Sequence, residues 1–306
     1  MRTENNRRDF LKTCLLAGTA GWAGFRPATA SAIEPFSRAG APRLRLSLAA
    51  YSFRDTFRHP DPARRITLFD FLDYCANQGL EGAEVTSYYF PESFDEAYLR
   101  QLKRHAFLRG ISISGSAVGN NFVVPAGPRR DQQIADVKKW VTHCALLGAP
   151  HIRVFAGPVV KEMELSAAKK LAITALEECA EFAGRHGIFL GLENHHGIVA
   201  EPEDLLDIVK AVNSPWFGIN LDTGNFYTDD PYADLAKCAP YAVNVQVKME
   251  IRRRAEKEKS RADLRRLIQI LRDANYQGWV ALEHEVREDP WATVPGYLAE
   301  LRKLLA

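Results

Sequence analysis

The sequence has almost no excess of charge of either sign. Its 40 lysines and arginines nearly cancel 38 aspartates and glutamates over 306 residues, leaving a formal net charge of +2. So small an excess gives no broad basic field to grip a phosphate backbone, which argues against nucleic acid as the main partner. Cysteine is scarce as well, five in the whole chain, and that excludes a disulfide scaffold. What is abundant is ordinary. A chain that is 46% hydrophobic and 25% charged is globular rather than disordered or collagenous. Its length suits either two medium domains or one large α/β barrel, and the order of segments must decide between them.

The first thirty residues stand apart. Arg7-Arg8-Asp9-Phe10-Leu11-Lys12 leads into a weakly apolar run from Cys14 to Phe25 and then the small residues Ala28-Thr29-Ala30-Ser31-Ala32. That run is too short to span a bilayer, and no apolar lipoprotein box precedes Cys14, so no stable membrane anchor is expected. The paired arginines followed by Phe10, Leu11 and Lys12 resemble a twin-arginine export signal over residues 1–30, with Asn6 standing where Ser or Thr is commoner. The expectation is recognition by the twin-arginine export machinery and a periplasmic or otherwise exported protein. Cys75, Cys144, Cys179 and Cys238 remain beyond the signal. Each falls near the end of a helical stretch facing the next strand, so buried free thiols are expected.

Past residue 43 one pattern repeats without a low-complexity linker. Short apolar runs begin near Leu44, Gly82, Ile111, His151, Ile188, Phe217, Ala242 and Trp279, each followed by an amphipathic helical stretch. Asp131 to Leu147, Ser166 to Arg185, Glu203 to Val212 and Arg261 to Ala274 are examples. Many strands follow a glycine-containing helix stop, as at Asn77-Gln78-Gly79 and Arg185-His186-Gly187. Eight such units at roughly 30 to 35 residues each are the pattern of a single (β/α)8 barrel over residues 44–306. A doubly wound open sheet fits less well, because no Gly-rich phosphate loop follows the first strand.

Side chains alternate along a strand, so parity separates the barrel interior from the helix layer. In the fifth strand Leu190 and Leu192 face outward, which aims Glu193 into the barrel mouth. By the same rule Asn220 and Asp222 point inward from the sixth strand, Asn244, Gln246 and Lys248 from the seventh, and Ala281 and Glu283 from the eighth. Buried carboxylates without a cation are costly. Glu193, Asp222, Gln246 and Glu283 form an oxygen-rich set suited to Mn²⁺ or Mg²⁺, with Co²⁺ as a further candidate, while zinc is disfavoured for want of Cys and His on these strands. The plainer alternative pairs the carboxylates with Lys248 and nearby arginines. His195 and His196 are adjacent and could not both face the site if the strand continued.

Leu192-Glu193-Asn194-His195, Leu221-Asp222-Thr223-Gly224-Asn225, Val245-Gln246-Val247-Lys248 and Leu282-Glu283, in this order, resemble the xylose-isomerase-like TIM barrels, the sugar and sugar-phosphate isomerases and epimerases. The resemblance covers essentially residues 44–306. It implies that Glu193 and Glu283 are both metal ligands and the catalytic proton carriers, with Asp222 a third ligand. Two positions depart from the pattern: Gln246 replaces the usual histidine ligand, and Asn225 stands where a substrate-binding histidine is frequent. Arg252 is a candidate substrate contact, as an arginine is in some relatives, with a solvated arginine as the alternative.

The chemistry implied is removal of a proton next to a carbonyl and its return elsewhere, through an enediolate. The outcome is epimerisation or isomerisation of a carbohydrate, with β-elimination from a keto-sugar or inosose as an alternative and a non-catalytic sugar-binding barrel as another. His195, Asn225, Lys248, Glu84 and Asn121 are further candidate substrate contacts at or near strand ends, and Tyr51, Phe53, Tyr88, Tyr89, Phe226 and Tyr227 are candidate stacking faces. Assembly into a homo-oligomer is left open by the sequence.

Overall fold

The computed structural model describes residues 33–306; the expected export signal lies outside the described residues. Eight strands close into one parallel barrel. They are β1 (Arg43–Ala49), β2 (Gly82–Thr86), β3 (Ser112–Ala117), β4 (His151–Val154), β5 (Phe189–Glu193), β6 (Phe217–Asp222), β7 (Ala242–Val247) and β8 (Gln277–Leu282). Closure comes from β1 pairing with both β2 and β8, with Leu46 opposite Val280 and Ala49 opposite Glu84. The expected (β/α)8 barrel is the one observed. Among the described residues no helix is long and apolar enough to cross a membrane.

The main helices between strands are α1 (Leu68–Asn77), α2 (Glu96–Leu108), α3 (Pro128–Leu147), α4 (Leu165–Arg185), α5 (Pro202–Ala211), α6 (Pro231–Cys238), α7 (Leu264–Asp273) and α8 (Pro290–Leu305). Their starts are written locally. Thr67 and Asp70 form a reciprocal capping box at α1, and prolines 128, 202, 231 and 290 open α3, α5, α6 and α8 where no amide hydrogen is needed. In α7, Leu264, Leu267, Ile268 and Leu271 recur at helical spacing and are all buried, so one stripe docks on the barrel while the arginines stay outside.

Outward-facing aliphatic side chains such as Leu190, Leu192, Ile219, Leu221, Val245 and Val280 are fully buried beneath the helices. At about 25 cal/mol per Å² of apolar surface, this layer is the main source of stability. Cys75, Cys144, Cys179 and Cys238 are buried free thiols within it, as expected. One feature departs from the sequence reading. Glu250–Ile251 and Ser260–Arg261 pair as a small antiparallel hairpin after β7, so α7 begins three residues later than the charged stretch had indicated, at Leu264, capped by Asp263.

Candidate functional site

Parity placed the interior correctly. Asn220, Asp222, Asn244, Gln246 and Lys248 are all buried, and they meet one another across β6 and β7. The lower layer is a closed amide chain. Asn244 Nδ2 donates to Glu84 Oε2 at 3.0 Å and to Asn220 Oδ1 at 2.8 Å, Asn220 Nδ2 donates to Gln246 Oε1 at 2.6 Å, and Gln246 Nε2 donates to Glu84 Oε1 at 2.8 Å. Burial pushes Glu84 up to about 7, with the charge of Glu283 adding to it and the Gln246 amide opposing. His151 Nε2 lies 3.9 Å from Glu84 Oε2, yet burial lowers that imidazole to about 3. The contact is therefore between a neutral ring and a carboxyl, not an ion pair.

Above this layer lies a cavity of about 360 Å³, at the lower end of the range for small-molecule sites. Tyr51, Tyr88, Arg153, Phe155, Glu193, His195, His196, Asn225, Tyr227, Lys248, Glu283 and Glu285 line it. A larger cavity of about 690 Å³ opens between the segments after β1 and β8, but none of the inward carboxylates of β5, β6 and β8 reaches it. The smaller cavity holds the chemistry.

Lys248 dominates its electrostatics. Its Nζ lies 2.6 Å from Glu283 Oε1, 2.6 Å from Glu285 Oε2 and 3.3 Å from Asp222 Oδ2. Burial pulls the ammonium down, but Asp222, Glu283 and Glu285 outweigh it and hold the lysine well above its usual range. Asp222 is pushed up to about 7, by burial first, with Lys248 opposing. Arg153 Nε meets Glu193 Oε2 at 2.8 Å, and Asn225 Nδ2 donates to Glu193 Oε1 at 3.0 Å. Burial drives Glu193 well above the usual carboxylate range against the pull of Arg153, whereas Glu193 helps hold Arg153 charged despite burial. These two shifts imply opposite charge states for Glu193. The guanidinium charge 2.8 Å away favours the ionised carboxylate of Glu193, and burial makes it easy to protonate.

The expected site residues divide. Glu193, Glu283, His195, Asn225 and Lys248 line the cavity, and Asp222 touches it through Lys248. Gln246 and Glu84 do not reach it, being committed to each other and to Asn220 and Asn244 in the layer below. Asn121 is a structural turn residue, its Oδ1 accepting from the Val123 amide at 2.9 Å. Arg252 stacks 4.3 Å from the Tyr227 ring centroid and lines a separate cavity with Lys257 and Glu258. His195 and His196 both face the site, because β5 ends at Glu193 and the chain turns. Burial, then His196, lowers His195 to about 4. Of the candidate stacking faces, Tyr51, Tyr88 and Tyr227 line the cavity, while Phe53 and Phe226 are buried in the core. Arg153, Phe155, His196 and Glu285 complete the lining without having been picked out from sequence. Arg153 follows outward Ile152, and Glu285 follows Glu283 by two, so the same parity carried to β4 and one step past β8 would have found both.

The set does not reproduce a four-ligand metal centre. The Gln246 oxygen is taken by Asn220, and an ammonium already sits against Asp222 and Glu283. Among the described residues no three His, Cys, Asp or Glu side chains are grouped to share a metal ion. A divalent ion at Asp222 and Glu283 would have to displace that ammonium from both.

A single parallel eightfold barrel whose strand ends converge on carboxylates is the scaffold of many small-molecule enzymes. Residues 72–304 match the model of the xylose isomerase-like TIM barrel family, and the chain belongs to that family. It is 25% identical over 205 residues to 3-oxo-isoapionate decarboxylase of Pectobacterium atrosepticum, covering 66% of this chain and 67% of that protein. The fold is also that of D-psicose 3-epimerase from Clostridium cellulolyticum H10 (TM-score 0.66, 17% identity, 85% of this chain and 94% of that one). It is likewise that of the IolI protein with a bound zinc atom (TM-score 0.67, 16% identity, 85% and 96%).

Proposed function

We propose that this chain is a sugar-modifying enzyme that moves a proton at the carbon next to a carbonyl, an isomerase or epimerase of a small carbohydrate. The observation that carries the reading is that Glu193 and Glu283, from β5 and the end of β8, face one small cavity. Two carboxyls that reach one substrate can remove a proton and return it to another face or to the neighbouring carbon. Tyr51, Tyr88, Tyr227 and Phe155 offer flat apolar faces for a sugar ring. Both cations of the cavity, Arg153 and Lys248, are paired with carboxylates, leaving no free cation for a phosphate. An unphosphorylated substrate met after export agrees with that. The expectation of a divalent ion draws support from the zinc held by the IolI protein, but not from the donor set of this chain.

The test is solvent hydrogen exchange. Free sugars, keto-glycosides and inososes incubated with the protein in D₂O are expected to gain deuterium next to a carbonyl, and Glu193→Gln and Glu283→Gln are expected to stop it. Silence across the whole panel sinks the proposal. Loss of CO₂ from a 3-oxo sugar acid is the second reading, favoured by the similarity to 3-oxo-isoapionate decarboxylase. There the cleaved bond is C–C rather than C–H, and the same enolate follows. Release of CO₂ without prior exchange at carbon selects it.

A further inference from the structure

Lys248 is more thoroughly built in than a residue making only a substrate contact requires. Its side chain is 7% exposed, and its backbone N–H donates to Thr223 Oγ1 at 2.9 Å. Gly224, in the turn after β6, leaves room for its stem. A Cβ there would lie 2.6 Å from Lys248 Cγ and 2.8 Å from its Cβ, so no larger residue fits beside the lysine as placed. Asp222 is held from the other side, its Oδ1 accepting from the Gly224 amide at 2.8 Å. The β6 turn thus fixes both a carboxylate and the cation that faces it.

We propose that Lys248 is the resident cation of this site, doing through its ammonium what a divalent ion does in metal-holding relatives, so that the reaction needs no metal. The Gln246 amide is consistent with this division, since both of its ends are spent on Asn220 and Glu84. An ammonium has three hydrogens to donate; here Nζ donates to Glu283 at 2.6 Å and lies 2.6 Å from Glu285, while Asp222 Oδ2, 3.3 Å away, faces the charge without accepting a hydrogen bond. Of these, Glu285 is the most exposed, at 29% against 10% for Glu283 and 0% for Asp222. A substrate carbonyl oxygen therefore enters by displacing Glu285. A carboxylate base takes the proton on the adjacent carbon, the C–H electron pair becomes the C=C bond of an enolate, and the carbonyl π pair moves to oxygen, where a Lys248 N–H receives it. Reprotonation at carbon by a carboxyl reverses the flow. No oxidant, reductant or second substrate enters.

This inference rests on the enzyme reading for the chemistry, but its first test is independent of turnover. Purified full-length protein is titrated with Mn²⁺ and Zn²⁺ by calorimetry, and its metal content is measured after dialysis against EDTA. The expected result is less than 0.1 equivalent of metal and no saturable binding, a ~10-fold shortfall from a filled site on the usual one-site linkage. One tightly held equivalent in the wild type overturns the proposal, whatever the substrate proves to be. Lys248→Ala is expected to free Asp222, Glu283 and Glu285, to gain Mn²⁺ binding seen as a raised Tm, and to lose ~10²–10³-fold in hydrogen exchange. Exchange that EDTA abolishes and Mn²⁺ restores in the wild type also overturns it. If Lys248→Ala does not fold, the wild-type titration and the EDTA arm decide alone.

Discussion

Gln246 donates its amide to Glu84 Oε1 at 2.8 Å, turning away from the cavity where a ligand at its position would be expected. The pair closes a buried loop of amides with Asn220 and Asn244, in which each amide nitrogen meets an acceptor, while Asn244 Oδ1 has no donor. Such a network is stabilising while complete and costly when broken.

Gln246→Leu should therefore destabilise the fold. It strands the Glu84 oxygen and the Asn220 amide in the interior, at about 1–3 kcal/mol for each unmatched group. Urea unfolding is expected to show a stability loss of about 2–6 kcal/mol with an unchanged m-value. A neutral outcome would mean that water enters the layer and replaces the amide.

Glu84 itself makes stability depend on pH. Burial raises it to about 7, whereas an unfolded glutamate titrates near 4.3. Between these values the folded chain holds the proton more tightly than the unfolded one. The contribution is therefore complete below about pH 4.3 and is lost as pH rises through 7, by about 4 kcal/mol in all. The stability of the wild type minus that of Glu84→Gln, measured by urea unfolding from pH 4 to 8, is expected to fall by that amount. A flat difference contradicts the assignment.

Packing beside the same layer gives a steric prediction. A Cβ at Gly115 of β3 would lie 2.1 Å from His151 Cε1, and the ring is buried inside the barrel. Gly115→Ala must push the imidazole off its place, an overpacking cost of about 1–3 kcal/mol. The fall in Tm should be relieved by adding His151→Ala, a double-mutant cycle that isolates the contact.

Much of this arrangement was legible as period. The outward leucines and valines of β5 to β8 fixed which polar residues faced the interior, and Glu193, Asp222, Lys248 and Glu283 came together accordingly. Depth was not legible. Parity says that Gln246 and Lys248 share a face, not that Gln246 lies one layer down among amides while Lys248 rises into the cavity. That difference depends on which partner each side chain finds across the barrel, as with Glu84, which is 162 residues from Gln246 in sequence. The hairpin after β7 was equally hidden, because Glu250–Ile251 and Ser260–Arg261 are two-residue strands with no period to read.

Arg153 is the residue whose loss should separate charge from shape at the site. Its Nε lies 2.8 Å from Glu193 Oε2, its Nη1 donates to the Val118 carbonyl at 3.1 Å, and its guanidinium stacks 4.0 Å from the Phe155 ring centroid. Arg153→Met removes the cation paired with Glu193, leaving the weaker pull of Lys248 against a burial that favours the protonated carboxyl. Hydrogen exchange is expected to fall about 10²-fold, the scale of a mispositioned acid–base group. Stability should fall by less than the 3–5 kcal/mol typical of a stranded charge, because protonation relieves it. Arg153→Lys restores the charge but neither the flat stack on Phe155 nor the second donor to Val118, since an ammonium lacks the planar fork. Its exchange rate should lie between those of Arg153→Met and the wild type. Full recovery with lysine would show that charge alone positions Glu193, and no recovery would show that the fork does.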